Sequence, residues 1–471
     1  MAYFVIEDFH TGLDKRRMEQ ATPAGALITL QNAVINRGGE VDKAKKFAAK
    51  YMLPAGTFGL AALGSALYVF GSGADPGVPA GVTYQQLAHE GALAMTELLN
   101  ADVFAGQIFA TAQYSDGSRR AFNNGTIVAG LQSGSGTIFA GLVLSTAVLT
   151  YKNKEYLTSG TNLLFSKSGD AAIFDEATSG SGLIDQSLYV SKDTDIVGLA
   201  SYQNSLAVFS SENVAIWAVD PDPTAYDLIQ ILPNIGTIAP RSVRSFGDHD
   251  VFFLSDTGVR SLRAINSSLA AGVSDVGTPI DDLIIAKIDE LSAEEVRIAA
   301  AIIEPKDGRY FLGLGDTIFA FSYFPLSKVS AWSTMDTGFN ITYFAKAEGR
   351  LYARAGNEIY LFGGDNNDEY TDQPVIVETP YLDARSIATW KEWIGIDLIL
   401  EGLWDVYINT NPNMPDEWTL TARVFENTTE KKRISLEARA PAIKLKFVHQ
   451  GEGRARLSKI IVHYKGTRES G

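Results

Sequence analysis

The chain has 471 residues, of which 46% are hydrophobic and 10% aromatic, and its formal net charge is −15. This much apolar surface excludes an intrinsically disordered chain, and the acidic balance argues against a sequence-independent nucleic-acid binder, which needs Lys and Arg to displace counterions. Because the chain has no cysteine, disulfides, thiol nucleophiles and thiolate metal sites are excluded as well. The length predicts two or three domains, and the N-terminal residues lack the basic and apolar regions of a secretory signal peptide, so none is expected.

The charge is distributed unevenly along the chain. Residues 1–50 carry a net charge of +2, residues 51–374 carry −18, and residues 375–471 carry +1. Within the last part, residues 431–468 hold 11 basic residues and 2 acidic ones. The sequence therefore predicts a near-neutral N-terminal arm, an acidic body and a C-terminal domain with a basic strip, although each charge run can also be an ordinary solvated surface.

A hairpin pattern recurs through the acidic body. A turn pair such as Asn204-Ser205 or Asp307-Gly308 is followed by alternating apolar residues, a small residue and a second short apolar run, as in β-hairpins. The turns fall at positions 64, 116, 153, 204, 248, 307 and 348, with a mean spacing of about 47 residues, which is typical of four-stranded propeller blades. We predict a β-propeller of six or seven irregular blades over residues 51–370, with an up-and-down sandwich as the alternative.

Two segments interrupt this rhythm. Residues 279–297 place apolar residues at helical spacing, and Ser292 followed by Glu295 predicts the start of a second helix. Residues 121–151 contain no charged residue but are interrupted by five glycines. A membrane-spanning helix needs about 20 mostly apolar residues, so we expect an exposed glycine-rich hairpin or a buried strand pair in this second insertion.

The C-terminal part reads as a separate domain. A polar segment over residues 363–369 ends the last hairpin, and residues 375–471 then contain several short apolar runs typical of strands. The predicted fold is therefore all-β: an N-terminal extended arm or platform segment (1–50), a propeller with a short helical insertion (51–370) and a C-terminal β-sandwich that serves as a platform or interface (375–471).

Little of the sequence is typical of catalysis. The five histidines form no HExxH pair, Gly134-Ser135-Gly136 lacks the frame of a nucleophile elbow, and no phosphate-binding loop occurs. The segment from Asp365 to Asp368 resembles a calcium loop only superficially, because its later ligand positions are wrong. We expect no active site, no cofactor and no metal. A propeller glycosidase with an acid pair, or a glycan-binding tail protein acting on host surface polysaccharide, remains the alternative.

The N-terminal segment carries a family resemblance. It contains, in order, Asp8-Phe9-His10-Thr11-Gly12-Leu13, Ala24-Gly25-Ala26-Leu27, Asn32-Ala33 and Gly38-Gly39-Glu40-Val41-Asp42-Lys43. This order resembles the opening of tail nozzle proteins, also called tail hub or tail tubular proteins, of short-tailed bacteriophages. The match lies in order and spacing more than in identity, since Thr11, Ala24 and Lys45-Lys46 depart from the family pattern. The likeness extends over about residues 1–370.

The resemblance implies a structural protein of the virion tail, assembled in the cytoplasm of the host bacterium. It implies a homohexameric ring below the portal and its adaptor protein, with tail fibres or a tail needle as further partners. Genomic DNA would pass through the ring transiently, without specific binding. An acidic lumen suits such a conduit because it repels phosphate.

Two groups of residues are candidates for contacts in such a ring. Phe9 and Leu13 are predicted to dock on a neighbouring subunit or to plug the propeller. The basic strip is predicted to meet an acidic surface of a neighbour or of the adaptor, with a solvated face as the alternative; its candidate residues are Lys431, Lys432, Arg433, Arg439, Lys444, Lys446, Arg454 and Arg456.

The uncharged segment supplies a third group. Gly134, Gly136, Phe139 and Leu142 lie in its glycine-rich part and are predicted to form a gate loop at the distal end of the conduit or to touch the host envelope. An ordinary insertion in a propeller blade is the alternative.

Overall fold

The fold was analysed in a computed structural model, which describes residues 2–128, 131–133, 136–139, 144–175, 180–190, 194–247, 250–264, 271–386, 389–425 and 433–466. Residues 131–133, 136–139, 263–264 and 271–274 are described by their backbone only. Short strands begin at the N-terminus: β1 (Ala2–Ile6), β2 (Gly12–Leu13), β3 (Ala26–Leu27), β4 (Thr29–Gln31), β5 (Ala33–Ile35), β6 (Val41–Lys43) and β7 (Phe47–Met52).

Small antiparallel sheets follow as the blades of a propeller. Blade 1 contains β8 (Phe58–Leu63), β9 (Ala66–Gly71) and β10 (Val82–Gln86), and its β10 runs parallel to β9. Blade 2 contains β11 (Met95–Phe104), β12 (Gln107–Tyr114), β13 (Arg119–Asn123) and β14 (Thr126–Ile127). A separate two-stranded antiparallel sheet of β15 (Leu131–Ser133) and β16 (Gly136–Phe139) precedes blade 3. Blade 3 contains β17 (Val148–Tyr151), β18 (Lys154–Ser159), β19 (Asn162–Phe165) and β20 (Gly182–Asp185).

The later blades are built in the same way. Blade 4 contains β21 (Gly198–Tyr202), β22 (Ser205–Phe209), β23 (Asn213–Ala218) and β24 (Asp227–Pro233). Blade 5 contains β25 (Arg244–Phe246), β26 (Asp250–Ser255), β27 (Gly258–Ala264) and β28 (Ala271–Ser274). Blade 6 contains β29 (Ala300–Ile303), β30 (Tyr310–Leu314), β31 (Thr317–Phe324) and β32 (Val329–Asp336), and blade 7 begins with β33 (Tyr343–Ala347), β34 (Arg350–Ala355) and β35 (Glu358–Phe362).

The blades close into a ring. Each innermost strand contacts the innermost strand of the next blade, from β8 through β11, β17, β21, β25 and β29 to β33, and β33 in turn contacts β8. The N-terminal strand β7 pairs antiparallel with β35 and supplies the outer strand of blade 7. The predicted all-β propeller is confirmed, and the described part of the chain forms seven blades.

The predicted turns fall one to a blade. Those at positions 64, 153, 204, 307 and 348 join the first and second strands of blades 1, 3, 4, 6 and 7. The turn at Asp116 joins the second and third strands of blade 2 instead, so the first turn of that blade, at Ala105-Gly106, was missed. The prediction at Asp248 lies outside the described residues.

The predicted helical insertion lies between blades 5 and 6. It contains α1 (Asp281–Glu290) and α2 (Ala293–Arg297), and α2 starts with a capping box in which the Ser292 hydroxyl accepts from the Glu295 N–H. The helix start predicted from this pair is therefore confirmed. Short 3₁₀ helices also occur in the described residues, at Glu19–Ala21, Gln186–Leu188, Pro223–Ala225, Pro240–Ser242, Thr278–Ile280 and Pro325–Ser327.

The C-terminal strands form a two-layered β-sandwich together with the N-terminal segment. Its own strands are β36 (Val375–Glu378), β37 (Lys391–Glu401), β38 (Trp404–Asn409), β39 (Thr419–Val424), β40 (Ile434–Ala440), β41 (Lys444–His449) and β42 (Arg456–Gly466). One sheet has the order β40-β37-β42-β6-β5, with β1 also on β42. The other has the order β4-β36-β41-β38-β39 and continues through β4 into β32 of blade 6.

The N-terminal segment is thus not a free arm. Its strands β1, β4, β5 and β6 belong to the sandwich, and the predicted boundary at residue 50 divides strand β7 of the propeller. One hydrophobic cluster runs from Leu254 in blade 5 through Trp332 in blade 6 to Trp393 and Trp404 in the sandwich. The prediction of an extended arm is corrected: sheet pairing and a shared core couple the first 52 residues to both domains.

Candidate functional site

The residues that carry the family resemblance lie against one another. The Phe9 N–H donates to the Gly39 carbonyl at 3.1 Å. A Cβ on Gly39 would lie 2.2 Å from His10 Nε2, and one on Gly25 would lie 2.6 Å from the Asp8 carbonyl oxygen. Both glycines have positive φ, where a side chain is strained. Segments that are separate in the sequence therefore pack into one structure, which we call the joint.

The joint connects the sandwich to the propeller. Gly12, with φ +61°, packs so closely on blade 6 that an added Cβ would lie 2.6 Å from the Trp332 carbonyl oxygen. The Ser330 N–H donates to the His10 carbonyl at 2.9 Å, and the Lys15 N–H donates to the Pro279 carbonyl at 2.8 Å, next to the helical insertion. Sandwich, blade 6 and the helices are thereby held together.

Phe9 and Leu13 are buried inside this joint. Phe9 is 0% exposed and Leu13 is 2% exposed, and both belong to the shared core. Neither side chain is available to a neighbouring subunit. Their predicted docking role is corrected: they anchor the N-terminal segment within its own chain.

Part of the basic strip has its acidic partners within the chain. Lys444 Nζ, almost fully buried, lies 2.8 Å from a Glu19 carboxylate oxygen, and Lys446 Nζ lies 3.0 Å from Glu378. These ion pairs join β41 to β36 and to the N-terminal segment. For Lys444 and Lys446, the predicted acidic partner surface is supplied by the same polypeptide.

Arg456 is paired in the same way, with its Nε 2.6 Å from Asp42 of β6. The remaining described members lie nearer the surface. Arg433 Nε lies 3.2 Å from Asp397, Arg454 Nε lies 3.8 Å from Glu401, and the Arg439 guanidinium lies 5.8 Å from the Trp390 ring centroid. Lys431 and Lys432 lie outside the described residues. Of the predicted strip, Arg433, Arg439 and Arg454 are accessible to a partner.

The proposed gate loop is described only in part. Gly136 and Phe139 lie in β16, which pairs antiparallel with β15 within the uncharged segment. Gly134 and Leu142 lie outside the described residues. The gate function of these four residues stays a prediction.

At one end of the propeller, which we call the mouth, each innermost strand begins. Here the guanidinium of Arg241, which is 7% exposed, pairs with the Glu97 carboxylate and stacks on Tyr343 at 4.1 Å from the ring centroid. Arg297 of α2 pairs with the other oxygen of Glu97. Arg241 also donates to the Leu98 carbonyl at 2.6 Å. This network joins blades 2, 5 and 7 with the helical insertion across the central hollow.

Exposed carboxylates surround the mouth. They lie on the turns between second and third strands and on the connections between blades, at Glu90, Asp116, Asp256, Asp282, Asp289, Glu290, Glu294 and Asp316. A hydrogen bond from Arg120 lowers the pKa of Glu90, and one from Ser118 lowers that of Asp116. Hydrogen bonds from Lys287 and Arg297 likewise lower the pKa of Asp316 and Glu294. The lowered pKa keeps these last four carboxylates, Glu90, Asp116, Asp316 and Glu294, ionised at neutral pH.

A pair of carboxylates, Asp102 and Glu155, lies between blades 2 and 3. The Thr150 N–H donates to Asp102 Oδ2 at 2.6 Å, and its hydroxyl donates to Glu155 Oε2 at 2.7 Å. Burial raises the pKa of both acids, and Glu155 is fully buried. A glycosidase needs its two carboxylates on either side of the scissile bond. Because Glu155 is fully buried, a polysaccharide cannot contact it, and this pair of carboxylates cannot flank a glycosidic bond.

Among the described residues, no group of three or more His, Asp or Glu side chains is placed to hold a metal ion. No helix in the described ranges has both the length and the apolar character needed to cross a membrane.

Comparison with known proteins finds similar solved structures but no similar protein family. No family model matches the chain, and no curated protein matches it. Among solved structures, it is similar to the Neurospora crassa Pan2 WD40 domain, with a TM-score of 0.34 and 10% sequence identity over 71% of this chain and 88% of that one. With so distant a neighbour, the propeller is identified by the strand pairing of the chain itself.

Proposed function

We propose that this chain is a structural virion protein that forms a ring-shaped tail nozzle below the portal and adaptor of a short-tailed bacteriophage. The nozzle serves as conduit and gate for the genome during ejection. The observation that carries the proposal is the joint. The residues on which the family resemblance rests, around Phe9, Gly12, Gly25 and Gly39, contact one another and tie sandwich to propeller.

The electrostatics of the mouth support a conduit. Its ring of carboxylates repels the phosphates of DNA, and a repelling wall lets the duplex slide, whereas Lys and Arg side chains would hold each turn. The central hollow of the propeller is bridged by Arg241 and Glu97. In this proposal the DNA therefore passes between subunits, along the axis of the ring, and the mouth of each propeller faces that axis.

Electron microscopy of virions, or of a tail reconstituted with the adaptor protein, tests the ring directly. We expect six-fold density below the adaptor that accommodates the propeller and the sandwich of each subunit. Isolated chain can remain monomeric until the adaptor is present, so the reconstitution must include it. Absence of this density below the adaptor would contradict the proposal.

A charge-reversal series tests the conduit. Asp116→Lys combined with Asp256→Lys places two cations at the mouth, and Glu348→Lys places one on the turn at the opposite end of blade 7. We expect the mouth variant to slow genome ejection, with the delay shrinking as salt is raised. The Glu348 variant serves as the control. Ejection kinetics that respond to neither charge reversal nor salt would exclude an acidic conduit at the mouth.

Assays on host surface polysaccharide address the competing functions. Release of reducing sugar by the purified chain would identify a propeller glycosidase, and saturable glycan binding without cleavage would identify a recognition protein. Under the nozzle proposal we expect neither activity from the purified full-length chain.

A further inference from the structure

A pocket of about 630 Å³ opens at the mouth beside the helical insertion. It lies between α1, α2 and the connections that lead into blades 3, 4 and 5. Its apolar lining is aliphatic and includes Leu99, Val197, Ile238, Ile288, Leu291 and Val296. The lining contains no aromatic side chain among the described residues. A flexible aliphatic chain fits such a lining better than a flat ring, which would find no partner for stacking.

The charged groups of this pocket are arginines. Arg119, Arg241 and Arg297 line it, and no Asp or Glu of the described chain does. The carboxylate of Glu97 is shared between Arg241 and Arg297, and Glu294 pairs with Arg297 at the rim. Among the described residues, three guanidinium groups and two carboxylates leave one positive charge in excess. In a chain with a net charge of −15, this local excess is unusual and matches one anionic group.

Arg119 provides that excess charge. Its Nε is buried and has no hydrogen-bond partner among the described residues. The neighbouring Arg120, by contrast, pairs with Glu90 through Nε at 2.9 Å and Nη2 at 2.7 Å. No carboxylate of the described residues pairs with Arg119 either, and its side chain lines the pocket, where a ligand carboxylate would pair with the guanidinium through a charge-assisted hydrogen bond.

We propose that this pocket binds an amphiphilic monocarboxylate, with its aliphatic chain among the Leu, Ile and Val side chains and its carboxylate on Arg119. Binding of such a ligand depends on the lining and charge of this one pocket and not on assembly of a nozzle.

Isothermal titration of the full-length chain with dodecanoate, below its micelle concentration, tests the proposal. We expect saturable binding of one molecule per chain and a higher melting temperature in its presence. Dodecan-1-ol, which has the same chain without the charge, should bind about tenfold more weakly or worse. Equal binding of acid and alcohol, or no saturable binding of dodecanoate, would overturn the proposal.

Two pairs of variants locate the site. Arg119→Met should weaken dodecanoate binding about tenfold and leave dodecanol binding unchanged, whereas Arg120→Met should leave both unchanged. Ala293→Trp fills the pocket from its exposed rim and should abolish binding of both ligands, while Ala286→Trp on α1, outside the lining, should not. Circular dichroism checks the fold of each variant. Undiminished dodecanoate binding by folded Arg119→Met would contradict the assigned role of Arg119.

Discussion

At the scale of single residues, one carboxylate, that of Glu97, connects the charged network at the mouth. Glu97 accepts from Arg241 and Arg297, which come from a connection between blades and from α2. Arg241 is nearly inaccessible to water, so its charge needs a partner inside the protein. A single side chain of β11 therefore holds together elements that are about 140 and 200 residues apart in the sequence.

Replacing Glu97 with Gln tests this dependence. The variant keeps the shape and one hydrogen-bond acceptor but removes the charge, so we expect a loss of about 2 kcal/mol in the free energy of unfolding. Glu90→Gln, which breaks the more exposed pair with Arg120, should cost less than about 1 kcal/mol. Urea denaturation of both variants measures the difference. Equal costs would contradict a special role for Glu97.

The pKa of Glu155 leads to a prediction about pH. Burial raises this pKa well above its ordinary value of 4.5, so the folded chain holds the proton more tightly than the unfolded chain. The contribution of this group to the free energy of unfolding therefore decreases as the pH rises above about 4.5. Glu155→Gln cannot ionise and should be more stable than the native chain at pH 8, with a smaller advantage at pH 5. Urea midpoints at the two pH values measure this, and an advantage independent of pH would contradict it.

At the scale of elements, the ring is closed by a strand from the other end of the chain. Strand β7 pairs with β35, and Phe47 packs on Phe362 with ring centroids 4.9 Å apart and on Phe344 at 6.3 Å. Closure by a distant strand removes an open sheet edge and fixes blade 7 to blade 1. The N-terminal segment is thus a structural part of the propeller.

Truncation of the ring-closing contact should weaken the whole propeller. Phe47→Ala removes a half-buried aromatic side chain from the seam, and we expect a cost of about 2–3 kcal/mol in the free energy of unfolding. Met52→Ala changes an exposed side chain of the same strand, 65% accessible, and should cost almost nothing. Thermal melting compares the two, and similar melting temperatures would show that β7 does not hold the ring closed.

At the scale of the whole molecule, propeller and sandwich share one core and are tied by the joint. Gly12 is a point of close approach, since its missing side chain lets β2 lie against the backbone of Trp332. In the proposed nozzle subunit, the joint would keep sandwich and propeller connected within a single polypeptide.

Two alanine substitutions separate backbone strain from crowding at the joint. Gly12 and Gly64 have nearly the same φ, +61° and +62°, but an added Cβ meets Trp332 and Ala331 at Gly12 and nothing within 4 Å at Gly64. Gly64→Ala should cost about 1 kcal/mol through its left-handed backbone alone. Gly12→Ala should cost about 3 kcal/mol, because crowding adds to that strain. Calorimetry measures both, and equal costs would contradict close packing at the joint.

Local patterns predicted much of the fold. Turn residues flanked by alternating apolar residues gave the propeller, and Ser292 with Glu295 gave the start of α2, because both signals act over a few residues. The candidate interface was less predictable. Phe9 and Leu13 look the same in sequence whether they face a neighbour or their own core, and the partners of Lys444 and Lys446 are decided by pairing across the chain.

The network of charged side chains at the mouth could not be predicted from the sequence for the same reason. No short motif contains Glu97, Arg241 and Arg297, which come from three separate elements and meet only in the folded chain. The one sequence signal for this network was the helical insertion, which interrupts the regular spacing of the hairpins and contains Arg297. Arg119 gave no signal, because its lack of a hydrogen-bond partner at Nε is visible only in three dimensions.

By itself, the sequence determined that this is an acidic, cysteine-free, all-β chain with a propeller and a sandwich, since composition and period-two patterning are local properties. The tertiary structure decided that the predicted arm belongs to both domains and that part of the basic strip is neutralised within the chain. It also decided that Arg119, whose Nε has no hydrogen-bond partner among the described residues, lines an aliphatic pocket. These depend on contacts between residues hundreds of positions apart, which closure of the ring and pairing of the sheets bring together.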